Sequence, residues 1–189
     1  MLEGNGALSL WLVPAGSIPV DDGVRPVSIG GRWLLSVACL AYGGGGVLAY
    51  NELLVGVAVR SSAGLGVHIP RIWVDSKVSL EGGRALWAIP KEMAIFRKTP
   101  SGLPAVLVGG QEIASVDVQP RRPIPRKWTI RSRVVQMKGG ESVITRFRTQ
   151  SHIAWSRALW NFSGPLAFLA DKKPFLTLSL SRARLEFGG

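Results

Sequence analysis

Two short stretches within residues 47–96 carry the groups that could do chemistry. The first is Tyr50-Asn51-Glu52, which leads into the apolar run Leu53-Leu54-Val55-Gly56-Val57; the second runs from Val74 to Ala94 and contains Gly83-Arg84 and Pro90-Lys91-Glu92. A lysine after a proline is ordinarily a solvated loop residue. A glutamate between an aromatic residue and an apolar run is ordinarily a strand-edge or hydrogen-bonded carboxylate. A lysine amine held neutral can do more: it attacks a ketone, water leaves, and the resulting iminium accepts the electron pair released when a neighbouring bond breaks. An ordinary lysine titrates near ~10.4, so about 0.04% is neutral at pH 7, and half-neutrality there requires a depression worth roughly 4.6 kcal/mol. Burial among apolar side chains supplies energies of that size. Leu86, Trp87, Ile89, Met93, Ile95 and Phe96 flank Lys91 in sequence. Pro90 fixes the backbone ahead of it, and Arg84 reads as a hydrogen-bonding support for the loop.

Taken together, these elements resemble the acetoacetate decarboxylase family, whose members carry Tyr-x-Glu and, later, Gly-Arg-Glu-x-x-x-x-Pro-Lys-Lys. Gly83-Arg84 and Pro90-Lys91 match in order and spacing, and the matched part covers about a quarter of the chain. The resemblance implies that Lys91 is the Schiff-base lysine and Glu52 the active-site carboxylate, with Tyr50 giving a cavity hydrogen bond and Glu92 lying at the substrate site. It implies a lyase acting on a small β-keto or other oxo acid, with no cofactor, assembled as a homo-oligomer. Aldolase or dehydratase chemistry would use the same iminium, and a non-catalytic member would bind a carboxylate without turnover. Two positions depart from the pattern. Glu92 stands where the family has a second lysine, and a carboxylate beside Lys91 would favour the ammonium unless an extended backbone turned the two side chains to opposite faces. Residues 1–24 contain no arginine, where the family's decarboxylases carry one. Arg25 and Arg32 are the candidate replacements.

The elements that must position these groups read as strands. Turn signals recur at Pro14-Ala15-Gly16, Asp21-Asp22-Gly23, Gly30-Gly31, Gly43 to Gly46, Ser61 to Gly66, Gly82-Gly83, Pro100-Ser101-Gly102 and Gly109-Gly110. Between them, Leu8–Val13, Trp33–Tyr42, Leu53–Val59, Ile72–Ser76, Ala105–Val108, Ile113–Val118, Val143–Arg148 and Leu176–Leu180 have strand length and β-forming residues. Trp155–Trp160 with Phe162 reads as a short helix or an irregular apolar segment. The spacing predicts a mainly β chain with minor helix, in antiparallel sheets that sandwich or close. The resemblance narrows this to one domain over residues 1–189, with curved sheets closing into a cone-like barrel around a cavity.

Composition excludes several other classes. Of 189 residues, 47% are hydrophobic, so the chain should fold around a core. The apolar run Trp33–Tyr42 is too short for a bilayer, the start of the chain lacks secretory features, and a cytoplasmic location is the expectation. One cysteine, Cys39, forbids an intrachain disulfide and reads as a core thiol. His68 and His152 lack companions at ligand spacing, so no metal is expected. Asp75 and Glu81 read as turn or surface carboxylates. The glycine run lacks the Gly-Lys-Ser/Thr element of a phosphate loop. The net charge of +11 concentrates between Arg121 and Arg148. A nucleic-acid or acidic partner could use that face, but Lys127 to Val134 alternates as the solvated side of a strand does, with Trp128, Ile130 and Val134 on or near the other side.

Overall fold

Strand-forming runs separated by tight turns leave each hydrophobic face in need of a partner, and this chain meets the need by bending one sheet back on itself. The computed structural model describes residues 1–43, 45–100 and 103–188. Its strands are β1 (Leu2–Pro14), β2 (Arg25–Pro26), β3 (Ser28–Ile29), β4 (Arg32–Tyr42), β5 (Tyr50–Ser61), β6 (Gly64–Val74), β7 (Lys91–Met93), β8 (Ile95–Arg97), β9 (Ala105–Val108), β10 (Gln111–Lys138), β11 (Glu141–Phe162) and β12 (Leu176–Phe187). One α-helix, α1 (Lys77–Trp87), lies between β6 and β7, and a 3-10 turn spans Gly164–Leu169. All twelve strands belong to one sheet, whose main path runs β7-β6-β5-β4-β1-β12-β11-β10-β9-β8.

A second pairing, between β6 and β10, converts that path into a ring. The ring is not a clean barrel, because the seam is a single parallel bridge, Val67 with Val134. Side chains extend it. Gln136, almost fully buried, spends both ends of its amide on the backbone of Ile69, donating to the carbonyl at 3.0 Å and accepting from the N–H at 3.4 Å. The buried His68 places Nδ1 3.0 Å from the Val135 carbonyl oxygen. These bonds satisfy backbone groups that a closed seam would otherwise strand away from water.

The two faces of the sheet have different duties. Along β5, Leu53, Val55, Val57 and Val59 enter the larger core with Trp11, Trp73, Phe162 and Leu166, while Tyr50 on the other face belongs to a smaller cluster with Tyr42, Ile72, Val74 and Ile89. A strand covered on both sides reads as an almost unbroken apolar run, as this one does. Cys39 lies in the larger core, and burial pushes its thiol up to about 12, which makes it a poor nucleophile.

Several expectations change. Residues 155–162 are neither helix nor irregular but the end of β11. Ala158, Trp160 and Phe162 pack in the core, and the alternation was blurred because Trp155 and Leu159, on the outward face, are also apolar. Ile72–Ser76 is strand only to Val74. Gly82-Gly83 lies inside α1 rather than in a turn. Trp128 and Ile130 are exposed like their charged neighbours, so this arm of β10 is solvated on both faces and only Val134 turns inward. Pro120, Pro123 and Pro125 lie in that arm, and its ladder to β11 shifts register between Pro120 and Arg122 and between Pro123 and Lys127. The expected turns at Gly43–Gly46 and Pro100–Gly102 include Gly44, Ser101 and Gly102, which lie outside the described residues. Among the described residues no helix is long and apolar enough to cross a membrane.

Candidate active site

Register brings Lys91 and Glu52 together. On one side of β6, Glu52 pairs with Val74; on the other side, Lys91 pairs with Ile72. Residues 72 and 74 share a face of β6, so the two side chains rise from the same face of the sheet with one strand between them. Backbones two strands apart are separated by about 10 Å, a gap that these two long side chains close. Lys91 Nζ lies 3.0 Å from Glu52 Oε2, and both residues are 5% exposed. Tyr50 Oη donates to the same carboxylate oxygen at 3.2 Å, and the Tyr50 ring centroid lies 5.2 Å from the amine.

The helix supplies the roof. Ser76 caps its N-terminus by accepting from the Ser79 N–H at 3.2 Å. Its buried residues are Ser79 and Gly83, four apart and therefore on one face. Both meet Lys91. The amine donates to Ser79 Oγ at 2.8 Å, while Gly83 leaves space for the stem, because a Cβ there would lie 2.8 Å from both Cδ and Cε of Lys91. Two of the three ammonium donors are thus committed to Glu52 and Ser79.

Local chain geometry fixes the direction of the lysine. The helix ends at Ala88 in the left-handed region, φ 53°, and the Ile89 N–H donates to Gly83 O at 3.1 Å. Lys91 N–H then donates to Ile89 O at 2.8 Å, closing a three-residue turn centred on Pro90, whose restricted φ suits it. Arg84 Nε donates to the Lys91 carbonyl at 2.8 Å. From this anchored start β7 runs extended, so Glu92 points away from Lys91; its side chain is half exposed and sits 4.0 Å from Arg71 Nη1.

Electrostatics keep the phenols in their neutral form. Burial first, and then the Glu52 charge, raises Tyr50 above the ordinary phenol range, so it remains a hydrogen-bond donor. The Tyr42 ring lies tilted against that of Tyr50, centroids 4.8 Å apart, and its phenol is raised by the same two leading causes. Its buried hydroxyl has no hydrogen-bond partner among the described residues.

Other expected positions fall elsewhere. Arg25 pairs with Arg60 and Arg32 pairs with Pro14. Arg60 is eight residues along β5 from Glu52, and Arg32 ten along β4 from Tyr42, which at ~3.3 Å per residue puts both exposed arginines roughly 26–33 Å away along their strands. Neither replaces an arginine at this site. Asp75 is a surface clamp, accepting from Asn51 N and Nδ2 at 2.7 Å each, and the exposed Glu81 pairs with Lys77. Among the described residues no group of three His, Cys, Asp or Glu side chains is arranged to hold a metal. Sequence reasoning missed Ser79 and Tyr42, and it singled out Gly83 only as part of the matched Gly-Arg element, not as the residue that makes room for the Lys91 stem; the one signal for Ser79 was its spacing of four from Gly83.

The two helix glycines give a paired expectation. In Gly83→Ala the Lys91 stem must move, so labelling of Lys91 by an amine-directed reagent should slow at least about tenfold, with a packing cost of about 1–3 kcal/mol set against a helix-propensity gain of up to about 1 kcal/mol. A Cβ at Gly82 meets nothing within 4 Å. Gly82→Ala should therefore stabilise the fold by up to about 1 kcal/mol and leave labelling unchanged. Denaturant melts and labelling rates measure both, and equal behaviour of the two variants would refute the assigned role of Gly83.

The acetoacetate decarboxylase family model matches residues 25–148. No curated protein matches the sequence. Among solved structures, an acetoacetate decarboxylase superposes with a TM-score of 0.67 at 12% identity, over 98% of this chain and 87% of its own. The enduracididine biosynthesis enzyme MppR, complexed with pyruvate, gives 0.62 at 15% identity over 97% and 88%. An acetoacetate decarboxylase-like enzyme from Sphingomonas wittichii RW1 gives 0.61 at 16% identity over 100% and 90%. At these identities the likeness is one of fold.

Proposed function

The chain belongs to the acetoacetate decarboxylase family, and from that premise we propose that it is a Schiff-base-forming lyase acting on a small β-keto or other oxo acid. The observation that carries this reading is a buried amine, Lys91 Nζ, held 3.0 Å from the Glu52 carboxylate and 2.8 Å from the Ser79 hydroxyl. In the proposed reaction Glu52 takes a proton from the ammonium, and the freed amine adds to the keto carbon. The carbinolamine hydroxyl leaves as water and an iminium forms. The bond to the carboxylate then breaks, its electron pair moves into the iminium to give an enamine, and carbon dioxide departs. Protonation of the enamine carbon and hydrolysis of the iminium return Lys91. Glu52, hydrogen-bonded to Tyr50, is the group within reach for the proton transfers.

The test is borohydride trapping across a panel of oxo acids, followed by peptide mapping. The expected result is a reduced adduct on Lys91; a folded protein that traps none of the panel refutes the reading for those substrates. Condensation or dehydration through the same iminium is the second reading. It is favoured because neither Arg25 nor Arg32 reaches the site to hold the carboxylate that a decarboxylation releases, and product analysis of the same incubations separates it from decarboxylation. Because Glu92 faces Arg71 rather than the amine, Glu92→Lys should leave the pH profile of trapping within about 0.3 units of wild type, as surface charges this screened act weakly. A shift of a full unit would place Glu92 at the amine after all. The family likeness also supports assembly as a homo-oligomer working in the cytoplasm, and light scattering reads the assembly directly.

A further inference from the structure

Four arginines line a cavity of about 520 Å³ on the outer part of the β10–β11 hairpin: Arg131, Arg133, Arg146 and Arg148, with Phe147 and Glu186. The tight turn at Gly139-Gly140, with φ of 59° and 84°, sets their register. From Lys138 opposite Glu141 the ladder runs without a shift to Arg133 opposite Arg146 and Arg131 opposite Arg148. Two like-charged pairs therefore face each other directly across the strands, an arrangement that destabilises a sheet. None of the four arginines forms an ion pair among the described residues, whereas Arg71 and Arg184 elsewhere on the surface do. Glu186 is opposite Arg148 in register and yet makes no ion pair with it. The Arg133 Nε is buried and lacks a hydrogen-bond partner. A solvated strand face explains isolated charges; it does not explain a concave site with an unpartnered buried guanidinium nitrogen and two facing like-charged pairs.

We propose that this cavity binds a compact polyanion, a small molecule carrying two or more adjacent phosphate or carboxylate groups. Guanidinium forks recognise such oxyanions by paired, charge-assisted hydrogen bonds. The volume lies in the range of small-ligand sites, and four arginines against one glutamate leave an excess of positive charge that one oxyanion would not neutralise. Phe147 joins the cavity wall to the apolar cluster that contains Tyr50 and Ile72. The assignment does not depend on Schiff-base chemistry at Lys91.

The test is calorimetric titration of the purified protein with pyrophosphate, citrate and inorganic phosphate at constant ionic strength. Saturable binding of pyrophosphate or citrate, tighter than that of phosphate, is expected, and the better of the two identifies the oxyanion type. Arg131→Gln/Arg148→Gln should weaken it by about tenfold or more. Without ligand this variant should melt at or above the wild-type temperature, because a like-charged pair is removed, and that control separates lost binding from lost folding. Trapping at Lys91 should be unchanged in it. The proposal is overturned if neither polyanion saturates, or if the variant binds as well as wild type. It is also overturned if a single-stranded oligonucleotide binds more tightly than both small anions and depends on the same arginines, which would make the face a nucleic-acid surface.

Discussion

Replacing Lys91 with alanine should remove the trapped adduct entirely and reduce turnover of any accepted oxo acid to the uncatalysed rate, because among the described residues no other amine takes part in the hydrogen-bonded cluster around Glu52. The same substitution should cost the fold about 3–5 kcal/mol, since Glu52 would remain a buried carboxylate without its cation. Mass spectrometry of borohydride-treated protein and denaturant unfolding measure the two effects separately. An adduct that persists in Lys91→Ala, or maps to another lysine, would remove Lys91 from the chemistry.

Glu52→Gln should slow adduct formation by about 10²–10⁴-fold, the usual contribution of a positioned acid–base group. Glutamine keeps the shape and can still accept from Tyr50 Oη, so the loss would report the missing proton acceptor rather than a collapsed site. Stability should also fall, by about 3 kcal/mol, because the ammonium is left buried beside neutral partners. The double variant Lys91→Met/Glu52→Leu resolves the two roles. Removing both charges should recover most of the lost stability, as apolar replacement of a buried ion pair often does, while trapping stays absent. Wild-type trapping rates in Glu52→Gln would reduce Glu52 to a counter-ion.

The strand-rich character was legible because alternation and turn residues are local properties. Leu8–Val13, Trp33–Tyr42, Leu53–Val59 and Leu176–Leu180 all lie within strands of the final sheet. The helix was not legible. Its segment, Lys77 to Trp87, contains two adjacent glycines and exposes Val78 and Leu86, so it carries neither good propensity nor a clean apolar stripe. What supports it is the Ser76 cap, the packing of Leu80 and Trp87 against the smaller core and of Ser79 and Gly83 against Lys91, and the last of these contacts does not exist until β7 has joined β6.

The candidate site divides in the same way. Sequence by itself determined the types of the candidate groups and the backbone that carries them: a lysine after a proline, and a glutamate two residues after a tyrosine at the start of an apolar strand. Only the tertiary structure decided which groups share an environment. Pairing through β6 set Glu52 against Lys91 and turned Glu92 to the opposite face, while strand pairing left Arg25 beside the far end of β5 and Arg32 at the far end of β4. The physical reason is that a side chain's facing depends on register, register is fixed by the cores on both faces of the sheet, and those cores are assembled from residues far apart in the chain.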